Sequence, residues 1–381
     1  MREEIPLKKL GEVCHIIGGG TPSKKKEEYY NGLIPWATVR DMNYDVLEQT
    51  DHSITEIGLK NSSANVIPKN NVVIATRVGL GKVCILEQDT AINQDLKGII
   101  PKSDFLLTKY LFLWFKSISN QIINAGTGAT VQGVKIPFVK NLKIPIPPLP
   151  VQKRIMEILD EAFEAIDQVK ANVERNIQNA EELFQSKLNE IYSSNADLAE
   201  DWDLKRWNEV LEIRSGRSQK EVVNPEGPYP IYGSGGSIMG YADDYICEEG
   251  TTIIGRKGTI DNPLFIETKF WNVDTAFGLI AGDALDKRYL YYFCLSFDFK
   301  SRDKGTTLPS LVKKDLINIK IPIPPLPEQE RIVIELDKVS QMKIRLISVF
   351  QKQLNNIEEL KKSILQKAFS GELTANEHVA V

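Results

Sequence analysis

Two long stretches of the chain carry apolar residues in steps of three and four. Steps of this size place the apolar side chains on one stripe of an α-helix, and roughly forty residues make a rod of about 60 Å. We therefore predict two long helices that bury their stripes against each other as an antiparallel coiled coil. The two regions that precede the helices in sequence would then lie at opposite ends of the coiled coil. The alternative is that each helix packs only on the region before it. The predicted stripes are Ile155, Leu159, Ala162, Ile166, Val169, Val173, Ile177, Ala180, Phe184, Leu188 and Ile191, and Ile332, Leu336, Val339, Leu346, Val349, Gln353, Ile357, Leu360, Ile364 and Ala368.

The regions before these helices show the pattern of short strands. Runs rich in β-branched and aromatic residues, bounded by Gly, Pro or Asn, predict strands at 71–76, 82–86, 251–255 and 263–267. Residues 109–118 and 287–296 predict short buried helices. Each region is therefore expected to be a mixed α/β domain, and we call residues 1–143 head 1 and residues 194–320 head 2.

The chain contains an internal repeat. Residues 144–160 (IPIPPLPVQKRIMEILD) and 321–337 (IPIPPLPEQERIVIELD) share twelve of seventeen positions at an offset of 177, and Arg77 matches Arg256 at an offset of 179. Proline fixes φ and lacks an amide donor, so these proline boxes fit neither a helix interior nor a central strand. Each box is expected to end a head and start a helix. The predicted domains are 1–143, 144–193, 194–320 and 321–381.

The distribution of charge bears on the choice of partners. The net charge is −4, but residues 1–143 carry 18 Lys/Arg against 14 Asp/Glu, whereas residues 144–200 carry 5 against 11. Affinity for DNA depends on local positive surface rather than on the total. We expect so acidic a chain to bind DNA weakly alone and to need phosphate contacts from partner subunits. The sequence shows neither a membrane span nor a signal peptide, and we expect a cytoplasmic location.

The sequence offers few catalytic motifs. The four cysteines are too far apart for a zinc site, and Gly79–Lys82 lacks the spacing of a phosphate loop and is expected to form a hairpin turn. We expect no catalytic residue, metal or cofactor in this chain. An alternative is a metal-dependent nuclease, because Asp261, Glu267 and Lys269 resemble an acid, acid, lysine pattern, although head 1 has no counterpart.

Basic and polar residues in the loops of the heads are the candidates for DNA contact. Arg and Lys read guanine and Asn and Gln read adenine, while Ser and Thr mostly contact phosphates. Arg77 and Arg256 are the strongest candidates because they occupy matching places near a glycine. The candidates are Lys24, Lys25, Lys26, Arg40, Arg77, Lys82, Thr127, Thr130, Gln132 and Lys135 in head 1, and Arg214, Arg217, Ser234, Arg256, Lys257, Thr306, Thr307 and Lys313 in the second half.

The proline box leading into a long helix, used twice, resembles the specificity subunit of type I restriction–modification systems. Residues 363–373 (SILQKAFSGEL) are also typical of that family, and residues 183–188 (LFQSKL) are a looser version of the same motif. The resemblance spans the whole chain. It implies an α+β fold with two mixed α/β target-recognition domains, two long helices forming an antiparallel coiled coil, and a pseudo-two-fold internal repeat.

The same resemblance implies a function. Each head would bind one half of a bipartite double-stranded DNA target, and the helices would set the gap between the halves. The helices would also dock two modification subunits, which carry S-adenosylmethionine and methylate adenine, and restriction subunits would join that complex. The chain itself would be non-catalytic. A second alternative is a coiled-coil adaptor without a role in DNA recognition.

Overall fold

A computed structural model describes residues 5–128, 132–193 and 202–372 of the chain. The chain divides into two compact units. Unit 1 comprises Met1–Asn172 and Gln353–Val381, and unit 2 comprises Val173–Lys352. Each unit contains one α/β region and a part of both long helices, so the two units are built from the same parts.

Unit 1 is a mixed α/β unit. Its described strands are β1 (Leu7–Lys9), β2 (Cys14–Gly18), β3 (Tyr30–Ala37), β4 (Val46–Leu47), β5 (Ser53–Ile54), β6 (Asn65–Ile67), β7 (Val72–Ala75), β8 (Val83–Leu86), β9 (Thr90–Ile92), β10 (Leu96–Pro101) and β11 (Lys143–Pro145). Its described α-helices are α1 (Leu10–Val13), α2 (Glu56–Lys60), α3 (Thr108–Ser117), α4 (Ser119–Asn124), α5 (Ile136–Asn141), the first part of α6 (Leu149–Ser193) and the last part of α10 (Leu326–Ser370). The strands form sheets of order β2-β10-β7-β8-β4, β5-β3-β9-β6 and β1-β11.

Unit 2 repeats this plan. Its described strands are β12 (Asp203–Arg206), β13 (Leu211–Ser215), β14 (Tyr229–Tyr232), β15 (Ile238–Ala242), β16 (Thr251–Gly255), β17 (Leu264–Ile266), β18 (Trp271–Asn272), β19 (Ala276–Ala281) and β20 (Lys320–Ile323). Its described helices are the last part of α6, α7 (Trp207–Val210), α8 (Lys287–Ser296), α9 (Lys313–Leu316) and the first part of α10 (Leu326–Ser370). The sheets have the orders β13-β19-β16-β17, β15-β14-β18 and β12-β20.

The secondary structure confirms the predicted repeat. The helices α6 and α10 each contain 45 residues and begin at the predicted offset of 177. The predicted strands correspond to β7, β8, β16 and β17, and the predicted short helices to α3 and α8, each within one residue at either end. Both heads therefore share one frame although their sequences differ.

The proline boxes join each sheet to its long helix. The first residues of the boxes lie in β11 and β20, which pair antiparallel with β1 and β12 in two-stranded sheets, where the missing proline amides are tolerated. Pro150 and Pro327 then occupy the first turn of α6 and α10, where a helix leaves amides without partners in any case. Since the hydroxyl of Tyr289 donates to the carbonyl of Pro322 at 2.9 Å, α8 also holds its box in place.

One fully buried glutamine in each box ties the start of the helix to the head. In unit 1, Gln152 donates to the carbonyls of Phe105 (2.7 Å) and Pro147 (2.9 Å) and accepts from the amide of Leu107 (3.1 Å). In unit 2, Gln329 makes the same three bonds, to Ala284 (3.0 Å), Pro324 (2.8 Å) and Asp286 (2.7 Å). We call these two arrangements the glutamine clasps.

The helices α6 and α10 pack against each other in antiparallel fashion within each unit. In unit 1 the beginning of α6 meets the end of α10, where Lys170 Nζ lies 2.8 Å from Glu358 Oε1. In unit 2 the end of α6 meets the beginning of α10, where Lys187 lies 2.9 Å from Glu335. Such exposed ion pairs contribute about 0.2–1 kcal/mol, whereas a buried leucine such as Leu188 contributes roughly 1.5–3 kcal/mol. The apolar seam therefore provides most of the stability.

The same seam also joins the helices to the heads. The core of unit 1 includes Tyr110 of α3 and Leu159 of α6, and the core of unit 2 includes Tyr289 of α8 and Leu336 of α10. Thus the helices pair with each other, as predicted, and they also pack on the head of their own unit. None of the helices in the described part of the chain is long and apolar enough to cross a membrane.

The predicted register was wrong in part of the stripes. Val169 is 51% exposed, and in α10 Leu346, Val349 and Leu360 are exposed, whereas Ile347, Phe350 and Leu354 are partly buried instead. At Leu346 and Val349 the reason is the neighbouring apolar pairs 346–347 and 349–350, because either member of a pair satisfies a step of three or four. The predicted Gln353 is likewise exposed.

Candidate nucleic-acid interface

The loop between β7 and β8 carries the first matched arginine. Gly79 and Gly81 have positive φ angles of 71° and 87°, so the loop turns tightly in a conformation that glycine adopts without strain, and the predicted hairpin turn is confirmed. The side chain of Arg77 is 52% exposed, and its Nη1 lies 3.3 Å from Oδ1 of Asp95. Because Asp95 follows β9, a carboxylate from a neighbouring loop orients this arginine.

The loop between β16 and β17 carries the second matched arginine. Arg256 donates from Nη1 to the carbonyl of Asp274 at 3.2 Å, and its guanidinium lies 5.7 Å from the centroid of the Phe277 ring. Gly258 provides the turn with a φ of 86°. The two arginines therefore occupy matching loops. Arg77 contacts an acidic side chain, whereas Arg256 contacts the main chain of the equivalent aspartate.

Further segments of head 1 surround the Arg77 loop. The amide of Val134 donates to the carbonyl of Thr76 at 2.8 Å. The amine of Lys82 reaches the carbonyl of Val39 at 3.5 Å, next to Arg40. The structure thus gathers the segments that carry Arg40, Arg77, Lys82, Thr127, Gln132 and Lys135, all of them exposed.

Head 2 gathers a corresponding set of loops. The amide of Gly258 donates to the carbonyl of Pro309 at 2.9 Å, and the amide of Leu311 donates to the carbonyl of Arg256 at 2.8 Å. The next loop is closed by Asp303, whose carboxylate accepts from two backbone amides, and these bonds lower its pKa. The segment that carries Arg217 is attached to the same region, because the backbone amide of Arg217 donates to the carbonyl of Asn272. The gathered candidates are Arg217, Ser234, Arg256, Lys257, Thr306 and Thr307.

Two candidates of head 2 are engaged inside the protein. The guanidinium of Arg214 pairs with Glu212 at 2.8 Å, and this hydrogen bond lowers the pKa of Glu212. Arg214 also donates to the carbonyl of Ile246, and Lys313 donates to the carbonyl of Ile213 at 2.6 Å. The side chains of Arg214 and Lys313 therefore bind groups on or beside strand β13 and not groups in the loops around Arg256.

Three further candidates of head 1 lie in the segment between β2 and β3. Lys24 and Lys25 form an exposed turn, and Lys26 contacts Glu28 and Tyr29. Thr130 lies outside the described residues.

The three residues of the nuclease alternative have separate partners. Asp261 pairs with Lys300, and the hydrogen bond from Lys300 lowers the pKa of Asp261. Glu267 lies 3.7 Å from Arg288, and Lys269 contacts Glu248 and the hydroxyl of Tyr245. The described part of the chain contains no group of three or more His, Cys, Asp or Glu placed to hold a metal ion.

Sequence reasoning did not select Gln94, which lies in the same loop cluster as Arg77. The residue is exposed, and its Nε2 donates to Oδ2 of Asp95 at 3.3 Å. The repeat contained a signal for this residue, because residues 93–95 (NQD) match residues 272–274 (NVD) except at the middle position. The search for matching residues selected what the two heads share, so it passed over the position at which they differ.

Fold and loops together define a two-headed protein that presents matching basic loops on a duplicated frame. A family model for the type I restriction modification DNA specificity domain matches residues 3–178 and again 199–359. The chain belongs to this family, and its function is DNA target recognition as a type I restriction–modification specificity subunit.

Individual relatives agree with this assignment. The chain is 28% identical to the type I restriction enzyme MjaIX specificity subunit of Methanocaldococcus jannaschii, over 97% of this chain and 94% of that protein. It is 33% identical to the EcoR124I/EcoR124II specificity subunit of Escherichia coli, over 48% of this chain and 46% of that protein.

Solved structures share the fold. One, described as the structural basis of complex assembly and conformational transition of the type I R-M system, has a TM-score of 0.78 at 23% identity and covers 97% of this chain and 100% of its own. The HsdS subunit from Thermoanaerobacter tengcongensis has a TM-score of 0.58 at 22% identity, covering 97% of this chain and 99% of its own.

Proposed function

We propose that each head reads one half of a bipartite DNA target and that the two long helices set the distance between the halves. The observation that carries this proposal is the pair of matched loops. Arg77 and Arg256 stand at equivalent places on one duplicated frame, yet the side chains around them differ. A duplicated frame with different exposed side chains is suited to reading two different sequences in one geometry.

The charge of the chain supports the proposal that partner subunits share in binding the DNA. Most affinity for duplex DNA comes from neutralised phosphates, while base contacts provide selectivity. The net charge of −4 makes strong independent binding unfavourable. We therefore propose that partner subunits supply much of the phosphate contact and that the loops around Arg77 and Arg256 supply the readout.

The helices support a fixed gap between the half-targets. A rigid element between two DNA-reading modules determines half-site spacing by its geometry. The helices α6 and α10 contain 45 residues each, or roughly 67 Å at 1.5 Å per residue, and apolar contacts join them. We propose that these helices also dock two modification subunits, one for each repeat.

The chemistry in this proposal belongs to the partners. The modification subunits would carry S-adenosylmethionine and methylate adenine, and restriction subunits would join the assembly in the cytoplasm. The relatives named as specificity subunits of type I restriction enzymes support this division of roles. This chain would contribute recognition and assembly without catalysis.

The test is to co-express the chain with the modification subunit encoded beside it and to map methylated adenines by long-read sequencing. The expected result is a split motif with a fixed gap. Replacing residues 1–143 by a head from another member of the family should change one half of the motif, and replacing residues 194–320 should change only the other half. If the proteins co-purify but yield no split motif, the coiled-coil adaptor is the better description and the proposal fails.

A further inference from the structure

The turn after β9 places an arginine and a glutamine on one carboxylate. Oδ1 of Asp95 lies 3.3 Å from Nη1 of Arg77, and Oδ2 accepts from Nε2 of Gln94 at 3.3 Å. The side-chain Nδ2 of Asn93 also donates to Oδ2, at 3.2 Å, so Asp95 is itself held. Arginine and glutamine are the side chains that read guanine and adenine in the major groove.

The hydrogen bonds of Gln94 leave part of its amide available. The hydroxyl of Thr21 donates to Oε1, and Nε2 donates to Asp95. A glutamine amide has two donor hydrogens and two acceptor lone pairs, so one of each remains beyond these bonds. One donor and one acceptor are what the N7 and N6 positions of adenine require.

The backbone beneath Gln94 is also fixed. The buried amine of Lys97 donates to the carbonyls of Gln94 (2.8 Å) and Leu96 (2.9 Å). A side chain held at its base and at its amide loses little further entropy on binding, and such preorganisation strengthens recognition.

Head 2 differs from head 1 at the middle residue of this three-residue match. The residue that matches Gln94 is Val273, which is only 4% exposed and belongs to a hydrophobic cluster with Ile231 and Trp271. Arg256 correspondingly contacts the main-chain carbonyl of Asp274. The arginine is common to both heads, but at the position of Gln94 head 2 has a buried valine in place of the exposed amide.

We propose that Gln94 and Arg77 form the base-reading pair of head 1, with Gln94 on an adenine and Arg77 on a neighbouring guanine, and that Asp95 is the positioning residue for both. Base pairs follow each other at about 3.4 Å along each strand, so two side chains held by one carboxylate reach neighbouring positions. This inference rests on the proposed function, since it assumes that head 1 reads one half of a split target.

The experiment uses the chain assembled with its modification subunits and compares methylation at sites carrying every base at each position of the half-target of head 1. The variants are Gln94→Ala, Gln94→Val, which introduces the residue of head 2, and Asp95→Asn. The matched control is Gln88→Ala, an exposed glutamine of head 1 beyond the far end of β8 that donates to the carbonyl of Glu48.

Both Gln94 variants should reduce the preference for adenine at one position by about 5- to 150-fold, the range expected for a bidentate base contact. Asp95→Asn should reduce the preference at that position and at the neighbouring guanine, while the half read by head 2 keeps its preferences. Gln88→Ala should leave all positions unchanged. A change in base preference at named positions is not an effect of lower stability, which would reduce methylation at all sites alike.

The proposal is overturned if the Gln94 variants keep the base preferences of the wild type, or if they lose activity uniformly. It is also overturned if neither strand of the half-target of head 1 contains an adenine next to a guanine. In these cases the split motif and the proposed function stand. If the wild-type complex yields no split motif, the proposed function fails, and this inference fails with it.

Discussion

The glutamine clasp of unit 2 can be tested by the substitution Gln329→Leu. Leucine has a similar volume but neither donates nor accepts a hydrogen bond. The change therefore removes the bonds to the carbonyls of Ala284 and Pro324 and to the amide of Asp286. All three bonds join the start of α10 to the chain around it, so the variant should loosen the attachment of the head to its helix.

The magnitude follows from the burial of the three partners. Each bond contributes about 0.5–1.5 kcal/mol, and a carbonyl left unpaired in the interior costs about 1–3 kcal/mol. Pro324 is buried, whereas Ala284 is exposed and Asp286 is half-buried, so water can replace part of the loss. The larger apolar burial of leucine offsets roughly 1 kcal/mol. We expect a net loss of roughly 2–4 kcal/mol in the free energy of unfolding of unit 2.

The assay is hydrogen exchange followed by mass spectrometry, since two units need not unfold in a single two-state transition. A loss of 2–4 kcal/mol should accelerate exchange of the protected amides of α8 by about 30- to 900-fold. The equivalent substitution Gln152→Leu should act instead on α3 in unit 1. Gln185→Leu, at an exposed position of α6, is the matched control and should change exchange little.

Two results would refute this reasoning. One is an acceleration of less than about fivefold in α8, which corresponds to less than about 1 kcal/mol. The other is an equal effect of Gln185→Leu, because the loss would then come from leucine on a helix and not from the clasp.

Three further predictions concern the thiols, the second arginine and the length of the helices. Burial raises the pKa of Cys14, Cys84 and Cys247 to about 12. The thiols of the native protein should therefore react slowly with Ellman's reagent at pH 8 and rapidly after denaturation. A thiol that reacts rapidly in the native protein would contradict this prediction. Arg256→Ala should reduce discrimination at one position of the second half-target by about 1–3 kcal/mol, whereas Lys257→Ala should weaken binding to all sequences and lower the salt slope by about one, both measured by titration of the assembled complex. Seven residues inserted in both α6 and α10, where the units divide, should widen the gap in the methylated motif by about three base pairs, and an unchanged gap would exclude the helices as the spacer.

Most of the frame was predictable because its signals are periodic and local. The steps of three and four located α6 and α10, and the proline boxes placed their starts. The errors at Leu346 and Val349 arose where the pattern is degenerate. At residues 346–347 and 349–350 both neighbours are apolar, and only the tertiary packing decides which of the two is buried.

The clasps and the turn that carries Gln94 were harder to predict for a different reason. A glutamine in the first turn of a helix is usually a solvated residue, so nothing local marks Gln152 or Gln329 as buried. Their identity at matched places of the two boxes was the available signal. Gln94 gave the opposite signal, a difference inside a matched motif, and only its hydrogen bonds to Thr21 and Asp95 show why that difference is informative.

The energetic contrast between these positions explains how one frame can carry two different heads. A change at Gln152 or Gln329 removes three hydrogen bonds, one of them to a buried carbonyl, and is expected to cost roughly 2–4 kcal/mol, a large part of the stability of a typical domain. A change at exposed Gln94 is expected to cost about 0.5 kcal/mol or less, because water replaces its lost bonds. On the proposed function, substitution at Gln94 would therefore alter the DNA contact, while the attachment of head to helix, and with it the proposed spacing of the half-targets, would stay the same.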